Sequence, residues 1–380
     1  MDKFHYLDNA ATTRLYPDLM ETFQKYYLEV FANPSSLHKA GLEAERALTN
    51  SRKLVAGLIG AREEQIIFTS GASEANNLVI ANAAYKRVEP IMITTKIEHS
   101  SVKKALDFYA NSHIHYLAND ADGLICDRFD AVEIESANLI SIIMVNNEIG
   151  TIQNIKEIIA RVRALGFKGL FHTDATQAVG KIPIDVKDLD CDFLTASAHK
   201  FKGPKGVGFL YCKHPEKIRA MILGGSQEHC KRAGTENVAG ICVMAKALSK
   251  ACSDMEENAK RASALKQRIA DYVKQSSHFD LTINEDVPQS PYILSVRSDL
   301  APSEVLLHAF AEKGIYLSSG SACNSNNPST SSVLGAIGKA PEANTAVLRI
   351  SFAADSKDED VDAFLKASEE LADRFQSVKK

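Results

Sequence analysis

Residues 192–208 read DFLTASAHKFKGPKGVG. A short apolar run, Phe193 to Ala196, ends in Ser197-Ala198-His199-Lys200. A Gly/Pro-rich turn follows, and a second apolar run fills Val207 to Tyr211. The pattern reads as strand, tight turn, strand, with a lysine at the bend. A lysine in such a place can be desolvated, which lowers its pKa and makes the amine nucleophilic. A Schiff-base lysine needs that environment. Taken alone, Lys200 reads better as a solvated turn lysine, and it is the flanking sequence that reverses that reading.

From residue 65 to 212 the chain alternates. Apolar runs fall at Gln65–Thr69, Ile91–Thr95, Leu139–Val145, Leu170–Thr173, Phe193–Thr195 and Val207–Tyr211. Helical patterns at Ser73–Lys86, Ser100–Ala110 and Ile155–Ala164 separate several of them. Fully apolar strands interleaved with helices predict an α/β fold, a mostly parallel sheet covered on both faces. Such sheets bind ligands at the carboxyl ends of their strands. Five strand ends deliver chemistry to that edge: Ser70-Gly71-Ala72-Ser73, Glu98-His99, Asn146-Asn147, Asp174 with Gln177, and Ser197 to Lys200. One polar strand end means little; five form a constellation.

The remaining chain is organised around this unit. Helical patterns are expected at Pro17–Val30 and at Ser36–Ile59, the second capped at Ser36. A long helical region spans about Glu236–Gln275, and near residue 255 the pattern changes to shorter strands and helices. The 380 residues suggest two domains. The expected division is a large domain, 15–255, and a small α+β domain made of 1–14 and 256–380.

Composition excludes several classes. The formal net charge is -4 and no dense basic run exists, so no nucleic-acid surface is expected. The first residues lack the apolar core of a signal peptide, and no apolar run is long enough to span a bilayer, so a cytoplasmic location is expected. The seven cysteines are widely spaced without a CxxC, which argues against a disulfide framework or a resident metal. Cys212, Cys242 and Cys252 read as small core or surface residues.

The strand-end residues define a chemistry. Gly71-Ala72-Ser73 leads into a helix whose N-terminus favours an anion such as phosphate, although an ordinary cap is an equal reading of that turn. Asp174 ends a buried strand and needs a cationic partner. A protonated pyridine nitrogen would suit it, with Gln177 donating to a neighbouring ring oxygen. His99 can stack on a flat ring and shuttle protons near neutral pH. Lysine amine, carboxylate and phosphate cradle together describe a pyridoxal phosphate site.

Seven ordered stretches carry a resemblance: FTSGASEANN, KIEHSSV, VNNEIG, HTDATQAVGKIPID, SAHKFKGPKGVG, GGSQEHCKRAGTEN and SSGSAC. They resemble the cysteine desulfurases of the class-V, fold-type I pyridoxal phosphate enzymes, in the iron–sulfur housekeeping and nitrogen-fixation branch. The match runs from Tyr6 to Phe352. It implies that Lys200 is the Schiff-base lysine, that His99 stacks on the ring and moves protons, that Asp174 pairs with the ring nitrogen and that Gln177 contacts the ring hydroxyl. Ala72, Ser73, Ser197 and His199 would hold the phosphate. Thr235 would reach the phosphate of a second subunit, which implies a homodimer. Asn147, also at the cofactor, and Arg349 would bind the substrate carboxylate.

Cys323 lies in a small, polar stretch, about 318–332, that is expected to be a loop exposing a reactive thiol. By resemblance Cys323 takes the sulfur of L-cysteine, leaving L-alanine and a persulfide. The persulfide would pass to an acceptor protein, an iron–sulfur scaffold or a tRNA-thiolation enzyme, and Cys323 could transiently ligate a cluster with such a scaffold. Ser73 stands where many members have Thr, and Ala198 where many have Gly. Alternatives are a selenocysteine lyase, a related class-V aminotransferase, or a non-catalytic protein that keeps the fold.

Overall fold

The computed structural model describes residues 4–379 apart from 86–87, 111–112, 127–128, 321–330 and 343. The chain opens with β1 (His5–Tyr6), α1 (Met20–Leu28) and α2 (Lys39–Leu58). The alternating region is β2 (Ile66–Thr69), α3 (Ala72–Ala84), β3 (Met92–Thr95), α4 (Ser100–Tyr109), β4 (Ile114–Leu117), α5 (Ala131–Ser136), β5 (Leu139–Ile143), α6 (Ile155–Ala164), β6 (Leu170–Asp174), α7 (Val186–Leu189), β7 (Phe193–Ser197) and β8 (Gly208–Cys212). Then come α8 (Gln227–Cys230), α9 (Val238–Ser253), α10 (Met255–Gln275), β9 (Phe279–Leu281), β10 (Ile293–Ser298), α11 (Ser303–Glu312), β11 (Ile315–Tyr316), α12 (Ser332–Ala336), β12 (Ala346–Ser351) and α13 (Asp358–Lys379).

The central sheet has the order β2-β8-β7-β6-β5-β3-β4. Its pairs are parallel except those of β8, which runs antiparallel to both β2 and β7. Every residue of β5 and β7 is buried, which explains runs with no polar alternation. Successive side chains serve opposite faces. Ile66 and Phe68 join one apolar core with α2, α6 and α9, while Ile67 joins the other with α3 and α4. A third core is built by the antiparallel sheet β12-β10-β9 with α10, α11 and α13. Leu7 and Ala10 are part of that core, and β1 pairs in parallel with β11. No helix among the described residues is long and apolar enough to cross a membrane.

The structure corrects three local expectations. The second helix starts at Lys39, not Ser36; His38 caps it, its ring nitrogen accepting the Gly41 N–H. The Ser36 carbonyl instead sits where a Gly41 side chain would project, 2.2 Å from an ideal Cβ. The long region after Glu236 is two helices interrupted at Asp254 (φ -98, ψ 11), with neither Gly nor Pro to mark the break. The edge strand β4 was not foreseen, because three of its four residues are only partly buried or exposed and carry no apolar run.

Candidate active site

The carboxyl ends of β2, β3, β5, β6 and β7 open onto a cleft of about 420 Å³. Ala72, Ser73, His99, Asn147, Asp174, Gln177, Ser197, His199, Lys200 and Arg349 all line it. Thr235 does not. It lines an adjoining cavity of about 70 Å³ that shares Ser70 and Gly206 with the cleft. Cys323 lies outside the described residues.

Lys200 sits at the bend between antiparallel β7 and β8, in a single 3-10 turn, Ala198–Lys200. Its Nζ donates to the carbonyls of Ala10 and Ala11, 2.7 Å each. Those carbonyls belong to the N-terminal strip, which is tied to β12 through the Ala10 N–H and the Ser351 hydroxyl (2.8 Å). The strip thereby closes one wall of the cleft.

Asp174, 3% exposed, ends β6. Its carboxylate accepts the Thr176 N–H (3.0 Å) and the Asn76 side-chain amide (2.8 Å), and makes no ion pair among the described residues. The same Asn76 nitrogen donates to Ser101 Oγ at 2.9 Å. The Ser101 backbone N–H donates to His99 Nδ1 at 3.1 Å, with Ser101 Oγ 2.8 Å from that nitrogen. Nδ1 is thus an acceptor, and neutral His99 carries its proton on Nε2. Burial pushes the imidazole below its ordinary pKa, against the opposing pull of Asp174.

Between β2 and α3, Gly71 has φ +148, a region open to glycine rather than to side-chain-bearing residues. An ideal Cβ there would come within 3.3 Å of Ser197 Oγ. Bare backbone therefore faces Ser197, and the first-turn N–H groups of α3 have no intrahelical partner. These are the requirements of an anion cradle. His199, whose pKa burial and the neighbouring Lys200 push down to about 4, is neutral beside it.

On the opposite side, Gln177 Nε2 donates to the Ala10 carbonyl (2.9 Å) and its Oε1 accepts from Lys181 Nζ (2.9 Å). Arg349, 2% exposed, donates through Nη1 to the Asn147 carbonyl (3.0 Å) and through Nη2 to Asp8 Oδ1 (2.7 Å). Its Nε is buried with no hydrogen-bond partner among the described residues. Behind His99, Glu98 is 1% exposed, and burial pushes its carboxyl up to about 8.

Sequence reasoning missed Asn76, Ser101, Lys181 and Asp8, and gave Glu98 no role of its own. Asn76 and Ser101 had a usable signal. Asn76 lies one helical turn beyond Ser73, and Ser101 lies two residues past His99 at a helix start. Asp8 and Arg349 are 341 residues apart, and nothing local links them.

The site fits pyridoxal phosphate. Asp174 is a buried carboxylate without a cation among the described residues, α3 offers N–H groups without intrahelical partners behind a glycine, and Gln177 keeps a second amide proton for a ligand. Lys200 presents its amine between them.

Comparisons with known proteins agree. The Aminotransferase class-V family model matches residues 5–364. The chain is 36% identical over 384 residues to the cysteine desulfurase IscS of Methanosarcina thermophila, covering 99% of this chain and 94% of that one. It is 38% identical over 374 residues to the cysteine desulfurase IscS of Clostridium botulinum strain Hall, covering 96% and 94%. A solved NifS-like protein superposes with a TM-score of 0.88 at 31% identity, covering 99% of this chain and all of that one. A structure described as SspA in complex with cysteine superposes at 0.76 with 31% identity, covering 92% and 98%.

Proposed function

The chain belongs to the class-V aminotransferase family and, within it, to the cysteine desulfurases, which are pyridoxal-phosphate enzymes; from that premise we propose how its residues carry out the reaction. The net change is L-cysteine plus the Cys323 thiol giving L-alanine plus a Cys323 persulfide. The C–S bond of the substrate breaks and an S–S bond forms, and the thiol proton balances the new C–H of alanine.

Lys200 is the lysine that holds the cofactor. Asp174 takes the ring nitrogen, His99 the ring face, and Gln177 the ring oxygen. The phosphate lies between the α3 N-terminus at Ala72 and Ser73, the Ser197 hydroxyl and neutral His199. Bound there, pyridoxal phosphate supplies the electron sink that weakens bonds at the substrate's α- and β-carbons. Arg349 and Asn147 orient the substrate carboxylate. Of the two groups that could move the α-proton, Lys200 would be the base and neutral His99, whose Nδ1 accepts the Ser101 N–H and whose proton is therefore assigned to Nε2, the donor. Cys323 approaches from the stretch at about 318–332 and accepts sulfur.

Three further parts belong to the reading. The domains are 15–255 and 1–14 plus 256–380. The enzyme is a homodimer in which Thr235 reaches the phosphate of a second copy; the exposed apolar residues Leu28, Phe31, Leu37 and Leu223 support an interface. It acts in the cytoplasm, where thiols stay reduced, and passes sulfur to an iron–sulfur scaffold or a tRNA-thiolation enzyme.

The observation that carries the proposal is Lys200 Nζ in one cleft with unpaired Asp174 and the free α3 N-terminus. Purified protein supplied with pyridoxal phosphate should absorb at about 400 nm and release alanine from cysteine. Lys200→Ala should lose both. Cys323→Ala should keep the absorbance and lose the alanine. Normal cysteine turnover by Cys323→Ala would remove Cys323 from the mechanism.

A further inference from the structure

Lys181 is buried, 6% exposed, yet no carboxylate pairs with it among the described residues. Its amine donates to Gln177 Oε1 at 2.9 Å and lies 5.6 Å from the centre of the Tyr292 ring. A buried cation without an anion is costly unless a ligand completes it.

The groups around it do not complete it. Lys200, from the turn after β7, and Arg349, from β12, both bear on it as like charges. Tyr292, before β10, presents its ring. Tyr16 and Lys202 share a small neighbouring cavity with Lys181, and Lys202 is already paired with Asp355. Burial, then Lys200 and Arg349, hold the Lys181 amine down at about 7. A proton there is easily gained once negative charge arrives.

The hydrogen bonds say where that charge would sit. Lys181 fixes Gln177 Oε1, so Gln177 Nε2 must face the Ala10 carbonyl and the cleft. One Nε2 proton goes to Ala10 O, which also accepts from Lys200 Nζ at 2.7 Å. The other remains for a ligand oxygen beside Lys200.

We propose that Lys181 is a positioning residue for the cofactor: through Gln177 it directs a donor and a positive charge at the anionic oxygen of the pyridoxal ring. This rests on the reading that the cleft takes pyridoxal phosphate. Without Lys181, Gln177 loses its fixed orientation and leaves Oε1 buried and unpaired. The charge has a second effect, since a nearby cation lowers the pH at which the chromophore formed at Lys200 gives up its proton.

The test compares wild type, Lys181→Met, Lys181→Gln, Gln177→Leu and the Lys181→Met/Gln177→Leu double variant, each checked for folding by circular dichroism. Two quantities are read without turnover: the Kd of stripped protein for pyridoxal phosphate, and the pH midpoint of the visible band of loaded protein. Lys181→Met should weaken loading roughly tenfold and raise the midpoint by about one pH unit. Lys181→Gln, which keeps a donor without charge, should recover loading but not the midpoint. The double variant should load no worse than Gln177→Leu, because the two residues act as one unit. Additive losses in the double variant, or an unchanged midpoint in Lys181→Met and Lys181→Gln, overturn the proposal. If Lys181→Met does not fold, Lys181→Gln carries the test. Failure of wild type to bind the cofactor would instead sink the underlying reading.

Discussion

Replacing Glu98 with glutamine should stabilise the protein in alkali while leaving it nearly unchanged in acid. Glu98 Oε1 accepts the Thr95 hydroxyl and the Ile143 N–H, 2.8 Å each, and Oε2 is buried with no partner. Desolvation by burial dominates and pushes the carboxyl from its ordinary 4.5 to about 8. Between those values the folded state holds a proton that the unfolded chain has released. Stability is therefore full below the unfolded value and falls as pH rises towards the folded one. Each pH unit in that window costs about 1.4 kcal/mol, so the wild type loses about 5 kcal/mol by pH 8. That is a large share of a typical stability of roughly 5–15 kcal/mol. Glutamine keeps the accepting oxygen and cannot ionise. Thermal unfolding of both proteins at pH 5.5, 7 and 8.5 is the assay. The gap in Tm should open with pH in favour of Glu98→Gln. Parallel Tm curves would show that Glu98 is charged in the fold and that its burial is relieved by water. A neutral Glu98 also leaves Asp174 as the carboxylate acting on His99.

Two other substitutions probe different parts of the frame. Asp8→Asn removes the anion from Arg349; the substrate carboxylate then meets an unneutralised guanidinium, and the KM for cysteine should fall roughly tenfold while kcat also falls. A raised KM at unchanged kcat would mean that Asp8 contacts the substrate instead. Glu228→Gln breaks a buried bidentate pair with Arg52 (2.7 Å on both arms), and should cost about 3–5 kcal/mol in urea unfolding. Within the same turn, His229→Gly should recover about 1 kcal/mol, because Glu228, His229 and Cys230 all take left-handed φ (49, 54 and 62) without glycine.

The sheet and its functional edge were legible because fully apolar runs separated by helices have few alternative folds. Lys200, Asp174, His99 and Ser197 could be placed together because each follows such a run. Their hydrogen-bond partners were less legible. Lys181 lies four residues after Gln177, a spacing that signals contact only in a helix. Here the chain from Ala175 to Ile182 is a succession of turns, held by Ala178 and Val179 bonding to Ala175 O and by Ile182 bonding to Ala178 O. The bend at Asp254 was hidden for the opposite reason. Both sides of it are good helix, so the periodicity continues across the break. Asp8 stands in a strip too irregular to assign, and its role depends on β12 arriving from the far end of the chain.

Lys200, Lys205 and Arg349 line the cleft with the acids Glu74 and Asp174, and Lys181 and Asp8 stand behind it, against Gln177 and Arg349 respectively. Asp8 already answers Arg349 at 2.7 Å, so that guanidinium contributes geometry more than net charge. Asp174 answers none of the three; it is held by Asn76 and the Thr176 N–H on the side of His99. Lys181 Nζ bonds to the amide oxygen of Gln177, a neutral acceptor that stabilises a cation less than a carboxylate would. Among the described residues this region is short of negative charge at Lys181 and short of positive charge at Asp174. A flat ligand with an anionic oxygen at one edge and a protonated nitrogen at another satisfies both with one orientation. The same ligand turned over would set its nitrogen against two amines and its oxygen against a carboxylate. The electrostatics of the bare protein therefore select the face that the ring presents to His99 before any substrate enters.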